Sequence, residues 1–327
     1  MDSPGRKVLA VASSRSQLRR GQNSSDQQLR PSRRREVVVS AAFGGHRARR
    51  LGSRIRKAWD RGLVMSLDNA IDAYWWTGRR NFGDLLTPAL LRSYGCIPVL
   101  ADPSTCHLVA VGSILHHVPG DFGGLVLGSG AISGSDRISL PNAQILALRG
   151  ELTRSVLGYE APVPLGDPGL LSERLSGPCT EKRYEIGIVP HFMDSNDERL
   201  TEVKSRLGNA VAVIDVSRKP VDVINDIKVC RYVLSSSLHG LVVAEAYGIP
   251  TGWLELSDRV IGGGFKFADY YSALATTREP QSISGTESLG QLRELARPTS
   301  PNIHAVQQQL HQQFVKLRSA LHRPGLP

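Results

Sequence analysis

The chain has four cysteines in 327 residues, Cys96, Cys106, Cys179 and Cys230, and no Cys-x-x-Cys pair among them. That spacing argues against a zinc ribbon and a dithiol redox motif. Cys96 and Cys230 sit in apolar stretches and read as small buried hydrophobes, as expected in a reducing compartment. No apolar run approaches the ~20 residues that a membrane helix needs, so any membrane contact is expected to be peripheral. Acidic residues are scarce at the start: residues 1–62 hold 4 of them against 16 Lys and Arg. The remaining 265 residues carry 26 acids against 24 Lys and Arg, so the formal charge of +10 belongs to the leader. A nucleic-acid partner inferred from net charge would bind the leader alone, and none is expected for the body.

Residues 1–64 are rich in Arg, Ser and Gln, poor in aromatics and without a sustained apolar period. Such a stretch cannot bury enough surface to offset its ordering entropy, so a disordered basic leader is expected. An Arg- and Ser-rich transit peptide has a similar composition. Methionine is also scarce, and Met65, one of three, opens the first segment with a structured pattern. It is a candidate translation start.

From there, short apolar runs closed by Gly or Ser alternate with helical spacing. The strands expected are 73–76, 108–111, 125–127, 144–148, a strand and turn over 163–169, 184–191, 211–215, 230–234 and 249–255. Helices are expected at 85–93, 151–157, 220–227 and 302–321, with a Gly-rich loop and a helix over 257–275. This is the pattern of buried parallel sheets. A polar segment at 172–183 containing Gly177-Pro178 marks a boundary. The expected organisation is a leader (1–64), an N-terminal α/β domain (65–176) and a C-terminal α/β domain (184–322) ending in a Gln-rich helix. The two domains are expected to be Rossmann-like and to face each other across a cleft.

The most informative segment is Ser235-Ser236-Ser237-Leu238-His239-Gly240. A buried strand ends there and a helix begins. In open α/β sheets ligands bind beyond the carboxyl ends of strands, where helix N-termini offer N–H groups to anions. A histidine in that first turn is placed to act on an anionic ligand.

Several segments together resemble the polysaccharide pyruvyl transferase family, in particular its exopolysaccharide ketal-forming branch. They are Tyr74-Trp75-Trp76 with Asn81-Phe82-Gly83-Asp84, Val111-Gly112-Ser113-Ile114, Leu148-Arg149-Gly150, Gly166-Asp167-Pro168, Ser236-Ser237-Leu238-His239-Gly240, and Gly263-Gly264-Phe265-Lys266-Phe267 with Asp269-Tyr270-Tyr271. They span roughly 73–275 in order, and the leader has no counterpart. The resemblance implies a GT-B-like fold, phosphoenolpyruvate as donor, a glycan or lipid-linked oligosaccharide acceptor, a cytoplasmic enzyme at or near the inner membrane face, and no cofactor or metal.

The chemistry of that donor assigns roles. A phosphate and a carboxylate on one enol carbon require cations and N–H dipoles. Arg149, at a strand end, and Lys266, between two phenylalanines, are the expected grips, with Ser236 and Ser237 supplying donors. Arg149 reads equally as a surface pair, Lys266 as a stem packed on apolar surface, and the serines as N-caps. His239 is expected to be cationic beside the anion and to protonate C3, or else only to hydrogen-bond it. Asp84 is a candidate base, or a helix cap. Asn81, Ser113, His116 and His191 are candidate acceptor contacts. The paired His116 and His117 lack the further ligands of a metal site. Two rivals remain: a GT-B glycosyltransferase using a nucleotide sugar, and a non-catalytic glycan- or nucleic-acid-binding protein acting through its leader.

Overall fold

A computed structural model describes residues 69–179 and 181–320. The leader, with its expected disorder, and the candidate start at Met65 lie outside the described residues. All described residues belong to one unit, Arg49–Pro327.

Every strand pairing within the two sheets is parallel. The first half runs β1 (Ala70–Tyr74), α1 (Leu86–Ser93), β2 (Ile97–Leu100), β3 (Leu108–Val109), β4 (Leu125–Leu127), β5 (Gln144–Ala147), α2 (Glu151–Val156), a 3₁₀ turn (Pro168–Leu171) and α3 (Glu173–Ser176). Its sheet has the order β2-β1-β3-β4-β5. The second half runs β6 (Tyr184–Val189), α4 (Glu198–Leu207), β7 (Val211–Val213), α5 (Pro220–Lys228), β8 (Cys230–Ser235), α6 (Leu238–Ala246), β9 (Thr251–Trp253), α7 (Phe265–Ala273), α8 (Leu289–Glu294) and α9 (Ile303–Ala320). Its sheet has the order β7-β6-β8-β9. In both sheets the strand order reverses beside the first strand, between β1 and β3 and between β6 and β8. Those crevices are where doubly wound sheets bind ligands, because the flanking crossovers leave on opposite sides.

Local signals explain most of the elements. Pro220 starts α5 with its fixed φ and missing N–H, which a first helical turn tolerates. Ser288 and Gln291 close a reciprocal capping box on α8. Asp197 accepts from Arg199 N–H at the start of α4, and Gly208 ends it at φ +54°. The sequence reading missed β2, α3, α4 and α8, and the strand expected within 163–169 is only an isolated bridge between Leu148 and Leu165. Pro98 interrupts the strand pattern of β2, and β2 is an edge strand, where a missing N–H is tolerated. The surface helix α4 buries only Leu200 and Val203, too thin a stripe to stand out. The first strand starts earlier than expected, at Ala70, because Asp72 interrupts its apolar pattern.

Helix α6 is the centre of the molecule. All nine of its residues are buried, as expected of a helix apolar on every face. It packs close to β6 and β8 because residue 240 is glycine: a Cβ there would lie 2.3 Å from Ser235 Oγ and 2.8 Å from Val189 Cγ1. One hydrophobic cluster joins Leu241 and Val242 of α6 to Leu86 and Leu127 of the first half and Leu310 and Phe314 of α9. Helix α9 also reaches the first half directly. Tyr94 stacks on Phe314 at 4.7 Å, and its hydroxyl is 2.8 Å from His311 Nδ1.

Candidate active site

Both sheet crevices open into one cavity of about 330 Å³. The loop after β1 contributes Asn81 and Asp84, and the loop after β3 contributes Ser113 and His116. The loop after β6 contributes His191, the β8–α6 junction Ser237 and His239, and the first turn of α7 Lys266. Eight of the ten expected site residues therefore line one space. Arg149 and Ser236 do not.

Asn81 Nδ2 donates to Asp84 Oδ2 at 3.0 Å, and Asn81 Oδ1 accepts from Gly83 N–H at 3.3 Å. Asp84 makes no cap: the N-cap of α1 is Leu85, and no side-chain cap bond is present. Burial pushes the Asp84 carboxyl up to about 7, against the Asn81 hydrogen bond and the charge of Lys266, which both pull it down. It therefore changes charge near neutral pH.

His239 sits in the first turn of the buried helix. Burial lowers its proton affinity, Asp167 opposes this, and Lys266 and Arg149 add to it. A buried ring beside two cations favours its neutral form, and the imidazolium expected from the sequence is one formed beside a bound anion. Gly83 makes room for the ring: a Cβ there would lie 2.1 Å from His239 Nδ1. Phe82, fully buried and tied to Val216 O at 2.8 Å, meets the ring edge-on at 6.4 Å.

Lys266 was expected in a loop. It stands instead in the first turn of α7, which starts after Gly264 at φ +84°. Its Nζ is 5.5 Å from the Phe267 ring centroid. Burial and the Arg149 charge lower its ammonium to about 8, while Asp84 and Asp194 hold it up. His191 is driven down to about 3 by burial, with Lys266, His239 and Arg79 adding to the effect. Its Nδ1 accepts from Met193 N–H at 3.3 Å, so the neutral ring carries its proton on Nε2. His116 lies at the exposed rim, its ring 4.1 Å from that of His117.

Two of the expected donor-binding residues, Arg149 and Ser236, are engaged by protein groups. Arg149 is fully buried, and all three of its guanidinium nitrogens are engaged. Nε donates to Asp269 at 2.8 Å, Nη2 to Ala131 O at 2.6 Å, and Nη1 to Ser113 Oγ. Asp269 also accepts from Thr153 N–H at 2.7 Å and Thr153 Oγ1 at 2.6 Å. Arg149 thus joins α7 to the end of β5 behind the cavity and reaches the cavity only through Ser113. Ser236 turns away as well: its Oγ donates to Asp194 at 2.8 Å and accepts from His191 N–H at 2.8 Å. Ser237 is the serine on the cavity, and as N-cap of α6 its side chain makes no cap bond.

Three further groups shape the site, and of these the sequence offered Trp76, with Trp75 and Arg79, as a residue that could stack on the acceptor or else belong to a core aromatic strand. Asp194, fully buried, accepts from Ser236 and from Ser257 Oγ at 2.5 Å. Trp76 stacks on Phe192 at 6.0 Å, and both line the cavity. Asp167, within the quoted Gly166-Asp167-Pro168, lies against His239. Trp76 and Asp167 stand in the quoted segments, whereas Asp194 carried no sequence signal. Among the described residues no group of three or more His, Cys, Asp or Glu side chains is placed to hold a metal ion. No helix among them is long and apolar enough to cross a membrane.

Comparison with known proteins gives three matches. The sequence profile of the polysaccharide pyruvyl transferase family matches residues 81–258. The succinoglycan biosynthesis protein ExoV of Rhizobium meliloti (strain 1021) is 27% identical over 225 residues, covering 64% of this chain and 66% of ExoV. Uncharacterized protein L143 of Acanthamoeba polyphaga mimivirus is 33% identical over 125 residues, covering 36% of this chain and 42% of that protein. The chain thus spans less than two thirds of the length of either relative.

Proposed function

The chain belongs to the polysaccharide pyruvyl transferase family, and from that premise we propose that it transfers the pyruvyl group of phosphoenolpyruvate to a pair of sugar hydroxyls. The acceptor is a cell-surface polysaccharide or its lipid-linked precursor, and the product is a pyruvate ketal. The observation that carries this reading is the convergence on one cavity of a helix N-terminus, Lys266, a buried histidine and a carboxyl that titrates near neutrality. The relative ExoV is named for succinoglycan biosynthesis, which fits a glycan acceptor. We further read the two parallel sheets as two facing Rossmann-like, GT-B-like domains, 65–176 and 184–322. We place the enzyme in the cytoplasm, where the donor is made, with at most peripheral contact at the inner membrane face.

Donor binding falls to Lys266, to the Leu238 and His239 N–H groups in the first turn of α6, where Gly240 N–H is already taken by Ser237 O at 3.0 Å, and to the Ser237 hydroxyl. Ser113, assigned to the acceptor from sequence, is better suited to an anionic oxygen. Its Oγ accepts from Arg149, so its own O–H is free to donate. Arg149 acts on the donor through Ser113. Asn81, His116 and the Nε2–H of His191 contact the acceptor.

The bound anion supplies what the protein's own field withholds: negative charge beside His239 raises its proton affinity. His239 then gives a proton to C3 of the enol, and positive character develops at C2. One acceptor hydroxyl bonds to C2 and loses its proton to Asp84. The C2–O bond to phosphate breaks, the neighbouring hydroxyl closes the ketal, and inorganic phosphate leaves. Of the two hydroxyl protons, one replaces the proton given to C3 and the other leaves with phosphate.

The direct test is phosphate release from phosphoenolpyruvate by the full chain with a panel of cell-envelope glycans. Acceptor-dependent release with a ketal in the product supports the reading. Consumption of a nucleotide sugar instead would replace it with glycosyl transfer. Asp84 adds a pH signature: kcat/KM for the acceptor should rise with pH through about 7, as the carboxyl loses its proton. In Asp84→Asn, turnover should fall by roughly 10²-fold or more and the residual rate should lose that limb. A limb retained in the variant would assign the base elsewhere. Gly83→Ala should displace the His239 ring by placing a methyl at 2.1 Å from Nδ1. Turnover should fall by roughly 10²-fold, the loss that a displacement of about 1 Å brings, with the thermal transition kept. Undiminished turnover would show that the ring position is not critical.

A further inference from the structure

Among the described residues, His239 and Asp167 present two unexplained polar atoms that face each other. His239 Nε2 and Asp167 Oδ2 lie 3.6 Å apart, on side chains that are 9% and 0% exposed. Each is buried from solvent and has no hydrogen-bond partner. A single orphaned polar atom is costly in a protein interior. Two that face each other, one basic and one acidic, are a pair whose contact closes with a small ring rotation, and catalytic hydrogen bonds are often long before substrate binds.

Both partners are held from outside the pair. Asp167 Oδ1 accepts from Gly169 N–H at 2.8 Å, which caps the 3₁₀ turn Pro168–Leu171 and fixes the carboxylate plane. That turn is tied to the first sheet by Gly166 N–H, which donates to Leu148 O at 2.8 Å. Gly83, which lacks a Cβ, leaves room beside the other nitrogen, and Phe82 meets the ring edge-on. Of the two ring nitrogens, Nε2 is shut off from solvent, so exchange with a molecule in the cavity passes through Nδ1.

We propose that Asp167 is the positioning residue of the site: it accepts a hydrogen bond from His239 Nε2–H and thereby fixes Nδ1 as the nitrogen that carries protons to and from the bound molecule. The pair joins the halves, because Asp167 follows the first sheet and His239 opens α6 of the second. It also offsets part of the charge of the imidazolium formed when Nδ1 takes up a proton. The other charged or titratable groups around the ring, Lys266, Arg149 and His191, either oppose that charge or are neutral. Asp167 is thus the only carboxylate among the groups acting on the ring to favour its protonated form. The catalytic half of this inference rests on His239 acting as the general acid. The tautomer half does not.

The test separates the two. The full chain, labelled with ¹⁵N-histidine, is measured by long-range ¹H–¹⁵N correlation, with the His239 signals identified by their loss in His239→Gln. The expected state is the neutral Nε2–H tautomer, and an Nδ1–H tautomer in the unmutated protein overturns the proposal. Asp167→Asn keeps the oxygen that caps the Pro168 turn and presents an N–H₂ group to Nε2, so the tautomer should switch to Nδ1–H. In the same variant kcat should fall roughly 10²- to 10⁴-fold, with KM for phosphoenolpyruvate changed by no more than a few-fold. A folded Asp167→Asn with an unswitched tautomer, or with kcat within about threefold of the parent, also overturns it. If the unmutated protein does not turn over phosphoenolpyruvate, the reaction assignment fails while the tautomer result stands.

Discussion

Replacing His239 with alanine should reduce acceptor-dependent phosphate release by roughly 10²- to 10⁴-fold, the range that a lost general acid brings. The side chain is the one titratable group that lines the cavity from the N-terminus of the buried helix. Protonating a carbon requires a proton donor at a fixed distance, and water does this poorly. The variant should still unfold cooperatively, because the rest of α6 keeps its apolar contacts with both halves. Its affinity for phosphoenolpyruvate should change little, since Lys266 and the helix N–H groups remain. Single-turnover measurements at saturating donor check this: a kcat near that of the parent enzyme in folded protein would remove His239 from the chemistry.

The second large effect concerns stability. Arg149→Ala should destabilise the chain by about 3–5 kcal/mol, because it leaves Asp269 as an uncompensated charge in a fully buried site. At about 2–4 °C per kcal/mol for a chain of this size, the thermal midpoint should drop by roughly 6–20 °C. The sequence pointed to a donor grip, whose loss would mainly weaken binding. The geometry points elsewhere, since every guanidinium nitrogen already has a protein acceptor. Arg149→Met with Asp269→Asn should recover part of the loss, because it removes the unpaired charge while refilling much of the space. Arg149→Met that melts like the parent and shows a raised KM for the donor would restore the direct grip and overturn this reading.

The glycines of the motifs show the same structural purpose. In Leu148-Arg149-Gly150, a Cβ on Gly150 would lie 1.8 Å from the backbone oxygen of Asp269. A Cβ on Gly130 would lie 2.3 Å from Arg149 Cζ. The segments Leu148-Arg149-Gly150 and Asp269-Tyr270-Tyr271, both of which carried the family resemblance, are therefore two sides of one clasp. Tyr270 and Tyr271 continue it inward, donating from their hydroxyls to buried Glu245 at 2.5 and 3.4 Å. Burial raises the Glu245 carboxyl, against those hydrogen bonds.

The sequence by itself determined the class of the fold and the address of the site. Short apolar runs ending in Gly or Ser encode buried parallel strands, because a strand covered on both faces is apolar at nearly every position. A histidine just after the serines that end a strand is expected in a helix first turn beyond the carboxyl end of that strand, and His239 lies there. Asn81, Asp84 and Lys266 were legible for the same reason, since each stands within a turn of an element boundary. Tertiary structure alone decided which polar side chains face the cavity. Ser236 and Ser237 are neighbours in the chain, yet one braces Asp194 and the other lines the cavity, because successive residues leaving a strand point to opposite sides. Arg149 meets a carboxylate 120 residues away, and Asp167 meets a histidine from the other sheet. The roles of such buried charges depend on partners brought together by packing, and no local pattern in the chain records that pairing.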